Sequence, residues 1–452
     1  MPVTLLILII YVNVMPFYYL DKDILGHNIY LFLKYLPFFL SILLFGQVIL
    51  KKKTTFLYDI QNERRIHLLL CFQLWCILTL FFSNYSQLGL IKTVYYFSTG
   101  GLVFLSIVFL KPDLKDLKKI AYFSVFSATI VAIYGNYVYI SSNDPLWTYL
   151  PLENKHYILS EITSIYENNH EDKHWIKHFK STYRVVSTVG NEVVCGSLLS
   201  SVIPLILFFI FYSQKKTTKL FYLFAFFAVI FCTVLTFSRS AYISGSIGIL
   251  FFLSIRLKKQ DIIKIFTTKK VAIFFIVSFL IINLFDNSLT KASNLLSLRF
   301  EEMLTSHSVL TRIDRVKVAA YLVEENALTG VGNAVLTDYI RENPHILSFN
   351  SSILTMDNMY LTILCEVGIV GTLLFLCVIF KAVIKPAWGL IKNTENSSTH
   401  IRSFKLACCG CIFSLIFNMT MWDLLNNPVM RFNFWLLVAV FFTLQKLQRP
   451  HR

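Results

Sequence analysis

The sequence predicts an all-α polytopic membrane protein, from its composition, its long apolar runs and the placement of its polar segments. The 452-residue chain is 56% hydrophobic and only 15% charged, whereas soluble domains carry about a quarter charged residues. Several apolar runs approach or reach the roughly 20 residues that cross a bilayer. Since neither repeats nor Gly/Ser-rich or Pro-rich linkers divide the chain, we expect residues 1–452 to form a single integral membrane domain.

About twelve transmembrane helices are predicted in chain order. The first begins without a preceding basic segment, so we expect a retained helix and not a cleaved signal peptide. Most links are short, but polar loops at 141–190 and 287–357 are long enough to be functional or folded. The predicted helices cover 2–20, 29–50, 66–83, 90–110, 120–140, 191–212, 219–237, 241–256, 270–286, 358–380, 404–424 and 429–447.

Charge placement predicts the orientation of these helices. The net charge is +16, and 26 of the 42 Lys and Arg residues fall in alternate connections, whereas both long loops hold more acidic than basic residues. This is the positive-inside pattern. It predicts that both termini are cytoplasmic and both long loops extracytoplasmic, and it argues against nucleic acid as a partner.

The second long loop is predicted to contain an amphipathic helix. Thr311 and Asp314 have capping-box spacing, and Asn326 and Gly330 are suited to end a helix. Arg312 and Arg315 would share a face near its N-terminus, where a diphosphate could bind. The expected apolar stripe consists of Ile313, Val316, Ala320 and Val323.

Cysteine and histidine placement offers little evidence for a metal site. All nine cysteines fall in predicted spans, so we expect free, buried thiols that behave as small hydrophobes. His170, His174 and His178 would align on a helix and could present a metal surface. A solvated amphipathic face is the alternative, and we predict neither a metal nor a cofactor.

Two polar motifs lie at predicted outer membrane edges. Arg239, between Ser238 and Ser240, is either a site residue or an arginine that reaches the interface. Asp357 and Asn358 stand where a span begins, and Asp357 is either functional or a helix cap. Other polar residues within the predicted spans are Lys34, Lys92, Asn136, Asn418 and Asp423; Lys92 and Asp423 lie near helix ends, within reach of the interface.

The order of these motifs resembles the O-antigen ligase/polymerase superfamily of bacterial membrane glycan transferases. The resemblance covers roughly residues 236–380. It rests on a Ser-Arg pair ending a span, an arginine-led helix in an outer loop and a Gly-x-Gly turn, followed by a polar pair and a Glu-x-Gly-x-x-Gly helix. These are Ser238-Arg239, Arg312, Gly330-Val331-Gly332, Asp357-Asn358-Met359-Tyr360-Leu361 and Glu366-Val367-Gly368-Ile369-Val370-Gly371. The stretch 184–191, led by Arg184, loosely matches the arginine-rich entry to a central helix pair.

The resemblance implies a metal-independent glycosyltransferase that uses undecaprenyl-diphosphate-linked oligosaccharides at the periplasmic face of the bacterial inner membrane. It implies that Arg239 and Arg312 hold the lipid diphosphate, and that Asp357 acts as a base or positions the acceptor. Substrate binding would fall to Arg184, Arg315, Asn358 and Tyr360.

Ligases of this superfamily carry His-Asn where this chain has Asp357-Asn358, which favours the Wzy-type polymerase branch over lipid A-core ligation. A chain-length regulator protein is then an expected partner. A lipid-linked oligosaccharide flippase is an alternative from another class. An exporter should carry charges inside its bundle and needs no large outer loops, and the sequence shows the reverse. A purely structural membrane protein is the remaining alternative.

Overall fold

A computed structural model confirms the all-α membrane architecture. The structure describes residues 3–17, 27–51, 63–141, 185, 187–189, 191–256, 307–343, 346, 355–392 and 399–447. These residues are 87% helical, with no strand among them. Within them, seven helices are long and apolar enough to cross a membrane, and four shorter apolar helices accompany them.

Eleven of the twelve predicted spans have a helical counterpart, and the remaining one, 270–286, lies outside the described residues. The helices are α1 (Val3–Val14), α2 (His27–Lys51), α3 (Arg64–Leu78), α4 (Ser86–Leu110), α5 (Leu114–Ser141), α6 (Glu192–Tyr212), α7 (Lys216–Leu235), α8 (Arg239–Arg256), α9 (His307–Glu325), α10 (Leu336–Glu342), α11 (Met359–Lys392), α12 (Thr399–Asn418) and α13 (Pro428–Lys446).

The core of the bundle is built around α6 and α13. Helix α6 packs against α7, α8 and α12, and α13 packs against α4 and α12. Both are mainly apolar and largely buried, the pattern expected of a helix enclosed by other helices. Seven of the nine cysteines are buried as predicted, whereas Cys71 and Cys377 are exposed on their helices.

Helix α11 is broken at Gly368, and Ala327 and Leu328 of the second long loop pack into the break. Gly368 has φ 67° and ψ −172°, and a side chain there would collide with the carbonyl of Leu328. The Ile369 amide therefore donates to the Ala327 carbonyl at 2.9 Å instead of to its own helix. A non-helical backbone at this point is acceptable in a membrane protein because protein groups satisfy it.

Helix α9 confirms a helix in the second loop but corrects its start. It begins at His307, four residues before the predicted cap, so Thr311 lies inside the helix. Arg312 and Arg315 are consequently its sixth and ninth residues. Only the first four amides of a helix are free, so they precede both arginines in α9. Anion binding by Arg312 and Arg315 stays a prediction.

Most of the predicted apolar stripe of α9 is not the face that packs against the protein, although Val323 is partly buried there. Ile313 and Val316 are 49% and 53% exposed, and Ala320 is exposed as well. The buried face comprises Val318, Ala319 and Leu322, which pack with Cys365 and other residues of α10 and α11. The helix has apolar residues on two faces, and its contact with α11, which the sequence pattern does not contain, decides which face is buried.

Candidate functional site

The Asn358 end of α11, which the charge pattern predicts to be extracytoplasmic, is held by residues 419–423 of the loop between α12 and α13. Asn358 is the N-cap of α11, and its side-chain oxygen accepts from the amides of Tyr360 and Leu361 at 3.0 and 3.2 Å. Its side-chain nitrogen donates to the Thr420 carbonyl at 3.1 Å. The amide of Met359 donates to the Met419 carbonyl at 2.8 Å. The loop 419–423, which we call the outer hub, thus fixes where this span begins.

Asp357 is not the helix cap. It precedes the cap in the left-handed region, with φ 46°, a conformation that Asp tolerates better than most residues. Its carboxylate pairs with Arg315 of α9 at 2.5 Å and accepts from the Thr355 hydroxyl at 3.1 Å. Both side chains of the ion pair are mostly buried, at 17% and 16% exposure. The pair therefore joins α9 to the entrance of α11.

Arg312 lies on the same helix as Arg315 but in a different environment. Its side chain is exposed, and Nη1 lies 3.8 Å from the Met421 sulfur in the outer hub. A thioether is a weak acceptor, so this contact leaves the guanidinium with most of its hydrogen-bonding capacity. Arg312 therefore presents a charge that could hold an anion beside the outer hub.

Arg239 is the first residue of α8 and is half-buried. Further along the same helix, Ser244 accepts from the Asn418 side chain at 3.1 Å, and Asn418 is the last residue of α12 before the outer hub. Five residues of helix span about 7.5 Å. Arg239 therefore lies about one and a half turns from this contact, at the N-terminal end of α8.

The structure describes six of the seven predicted site residues and brings four of them together. Arg312, Arg315, Asp357 and Asn358 meet at the outer hub, and Arg239 starts a helix that contacts α12 just below it. The Tyr360 hydroxyl donates to the Ile416 carbonyl at 3.0 Å, so it also links α11 to α12. Arg184 and the three histidines of the first loop lie outside the described residues.

Asp423 is a member of the site that sequence reasoning placed at the membrane interface. It is buried at 6% exposure and accepts from the Asn358 amide at 3.0 Å and the Thr362 hydroxyl at 2.5 Å. Burial raises the pKa of its carboxyl to about 6; the Thr362 hydrogen bond opposes the rise and the nearby Asp357 charge adds to it. Asp423 thus orients the cap residue that follows Asp357.

Two further buried charges were not predicted as functional. Arg431 of α13 is 3% exposed, donates to the Leu425 and Asn426 carbonyls at 2.8 and 2.9 Å, and stacks on Tyr96 with Cζ 3.6 Å from the ring centre. Glu366 of α11 is 5% exposed. A charge within an apolar run is a signal that could have found both.

Among the described residues, no group of three or more His, Cys, Asp or Glu side chains is arranged to hold a metal ion. An exposed guanidinium such as that of Arg312 can bind an anionic leaving group. An oriented carboxylate such as that of Asp357 can receive a proton from a hydroxyl.

Comparison with known proteins gives one family match. Residues 224–376 match the family model described as O-antigen ligase, which supports the O-antigen ligase/polymerase superfamily predicted from the motifs. The matched segment contains Arg239, Arg312, Arg315 and the Asp357–Asn358 pair. No curated protein sequence matches the chain.

Proposed function

We propose that this protein is a repeat-unit polymerase of O-antigen or a related surface polysaccharide. It would transfer the growing glycan from undecaprenyl diphosphate to the next lipid-linked repeat unit, at the outer face of the inner membrane. The observation that carries the proposal is the exposed Arg312 about one helical turn from Arg315, whose ion pair orients Asp357, within the segment that matches the O-antigen ligase family.

The reaction assigns a distinct task to each charge. A hydroxyl oxygen of the acceptor sugar attacks the anomeric carbon of the donor, and the bond from that carbon to the diphosphate breaks. Undecaprenyl diphosphate leaves with the electron pair, and Arg312 and Arg239 would stabilise its charge. The hydroxyl proton would pass to Asp357. By family expectation the anomeric configuration inverts and no metal is needed.

Asp357 favours a polymerase over a ligase. Ligases of the superfamily carry histidine at this position, and a paired carboxylate cannot reproduce an imidazole that is neutral or cationic near pH 7. The family match alone covers both activities, so ligation to lipid A-core is the second candidate. A flippase is disfavoured because residues 224–376 match the family model described as O-antigen ligase.

The test is a surface-glycan gel of a strain that lacks this gene and is complemented with wild type, Arg239→Ala or Lys317→Ala. Lys317 is an exposed cation of α9 paired with Asp314, and such pairs contribute little, so its variant is the control. We expect Arg239→Ala to lose the long ladder while one repeat unit remains on the lipid core. Loss of that single unit would indicate a ligase or flippase, and an unchanged ladder would contradict the glycan function.

A further inference from the structure

The turn that follows α9 contacts α11 well inside that helix and not at its end. The turn consists of residues 326–330, which we call the tip turn. The carbonyl of Ala327 accepts from the Ile369 amide at 2.9 Å. The carbonyl of Leu328 lies so close to Gly368 that a Cβ atom on this glycine would collide with it. The tip turn therefore meets α11 at the point where the helix is broken.

The sequence of α11 indicates how deep in the membrane this contact lies. Between Tyr360 and Lys381, twenty residues hold one charged side chain, that of Glu366, and about 20 apolar residues suffice to cross a bilayer. Gly368 is the eighth of these twenty residues. At about 1.5 Å per residue, the break lies roughly 10 Å along the helix from the Tyr360 end of the apolar run.

Helix α4 gives a similar depth from a second span. Asn333, three residues after the tip turn, donates from its side chain to the Thr93 hydroxyl at 2.7 Å. Thr93 is the eighth residue of α4, which begins at Ser86, so this contact also lies roughly 10 Å along a helix from its end. Ile91 and Val94 of the same turns are exposed apolar residues, as expected of a helix that already contacts lipid at this level.

The apex of the tip turn carries an exposed leucine beside a lipid-facing stripe of α11. Leu328 is 66% exposed. The exposed apolar residues of α11 follow helical spacing, so they share one face of a membrane-crossing helix; they are Ile369, Leu373, Leu376 and Phe380. Because Ile369 bonds to the residue before Leu328, the leucine lies at the start of this stripe.

The backbone after the apex satisfies the requirement for non-helical chain within a membrane. Such backbone is tolerated where protein groups bind it and lipid does not reach it. Val331 and Gly332 are buried. The amide of Val331 donates to the Cys365 carbonyl at 2.9 Å. The amide of Gly332 donates to the Glu366 carbonyl, also at 2.9 Å. Polar groups of this stretch therefore face α11, whereas the Leu328 side chain is left exposed.

We propose that the tip turn re-enters the leaflet on the Asn358 side of the membrane, and that Leu328 contacts the hydrocarbon chains of bilayer lipids. The charge pattern predicts this leaflet to be the outer one. Helix α9 ends one residue before the tip turn, so the contact anchors in the bilayer the helix that carries Arg312 and Arg315. This lipid contact does not depend on the glycan reaction.

Fluorescence quenching of the full-length protein in vesicles tests the contact. Leu328→Cys is labelled with a bimane maleimide in a background where the exposed Cys71 and Cys377 are Ala. The protein is reconstituted in phosphatidylcholine with or without brominated acyl chains, and iodide is added to both sides. Leu373→Cys, in the α11 stripe, is the reference for lipid. Glu324→Cys, on the exposed surface of α9, is the reference for water.

We expect brominated lipid to quench labelled Leu328→Cys nearly as strongly as Leu373→Cys. Iodide should quench it much less than Glu324→Cys, because an ion is excluded from hydrocarbon. Strong quenching by iodide with little quenching by brominated lipid would place the tip turn in water. Quenching by neither agent would show that protein covers Leu328. Either result would overturn the proposal.

Leu328→Asp and Leu328→Phe provide a second measurement should Leu328→Cys fail to accumulate. Within hydrocarbon a carboxylate is costly and a phenyl ring is not, so the Asp variant should lose protein level and the Phe variant should keep it. A leucine exposed to water would tolerate both changes, so equal, normal levels would contradict the lipid contact. Loss of both variants would indicate a tightly packed protein environment, where added bulk is also costly, and would overturn the proposal as well.

Discussion

Arg312 and Arg315 of α9 differ in whether an acidic partner already pairs with their charge. Arg315 is mostly buried and paired with Asp357, whereas Arg312 is exposed and touches the weak acceptor sulfur of Met421. Two cations three residues apart on one helix therefore lie in different environments. Under the proposed function, Arg315 would orient the Asp357 carboxylate and Arg312 would bind the substrate.

Replacement of Arg312 by Lys should impair transfer by tenfold or more. A guanidinium can bind a diphosphate with two parallel hydrogen bonds, whereas an ammonium is a point charge, and the difference corresponds to about 1.5–3 kcal/mol. Ladder intensity at matched protein level measures the effect. Arg341→Lys is the control, because Arg341 is an exposed arginine at the end of α10. Full activity of Arg312→Lys would contradict a role in gripping the diphosphate.

Asp357→Asn should abolish turnover but preserve binding of the lipid carrier, if Asp357 receives the acceptor proton. Because the ion pair with Arg315 orients the Asp357 carboxylate, Arg315→Gln should lower turnover although the base itself remains. A double variant should then be no worse than Asp357→Asn alone, because the pair acts as a unit. Turnover and carrier-lipid binding are measured for all three variants. Unchanged turnover in Asp357→Asn would reduce this residue to a partner of Arg315.

Asp423 should make the stability of the protein depend on pH. Burial raises the pKa of its carboxyl from 3.8 to about 6, so the folded state binds the proton more tightly than the unfolded state. Below pH 3.8 the carboxyl is protonated in both states, and this group leaves its full contribution to the stability in place. As the pH rises from 3.8 to about 6, the unfolded state loses the proton first and the folded state is progressively destabilised; above about 6 the contribution is lost. Lowering the pH from 7.5 to 5 should thus add about 1–2 kcal/mol through this group.

The measurement for Asp423 is the apparent Tm of wild type and Asp423→Asn at both pH values. Asparagine does not titrate, so the variant should gain less stability on acidification than wild type, whatever its absolute Tm. Equal gains in the two proteins would show that the Asp423 carboxyl titrates alike in the folded and unfolded states.

At the scale of elements, sequence patterns identified helices better than they identified faces. Eleven of the predicted spans formed because about 20 apolar residues suffice to define one. For α9 the sequence could not show which face packs against the protein, because Ile313 and Val316 are as apolar as the residues that are buried. The ion pair between Arg315 and Asp357, and the support from Asp423, join residues 42 or more apart in the chain, and no local period reports such contacts.

The break in α11 should make Gly368 sensitive to the smallest side chain. Alanine would need a positive φ, which costs roughly 1–2 kcal/mol, and would also collide with the Leu328 carbonyl, a backbone atom that cannot rotate away. We expect Gly368→Ala to lower the protein level and the Tm, with a loss of stability larger than the φ cost alone. Gly389→Ala is the control in the same helix, since a Cβ there meets nothing within 4 Å. It should be neutral or stabilising by up to about 1 kcal/mol; equal Tm values for the two variants would contradict the packing at the break.

At the scale of the whole molecule, the charge distribution predicts that α4 crosses the membrane with Leu110 on the cytoplasmic side. At the other end of α4, Lys92 pairs with Asp338 of α10, so α10 and the preceding α9 should lie on the opposite side of the membrane from Leu110. Asp113, which follows α4, and Glu324 of α9 should therefore lie on opposite sides. Because both residues are exposed, Asp113→Cys and Glu324→Cys can report the sides, in a background where the exposed Cys71 and Cys377 are Ala. A membrane-impermeant maleimide should label Glu324→Cys in intact spheroplasts, and Asp113→Cys only after lysis. The reverse pattern would place α9 and its arginines in the cytoplasm, where no periplasmic glycan transfer could use them.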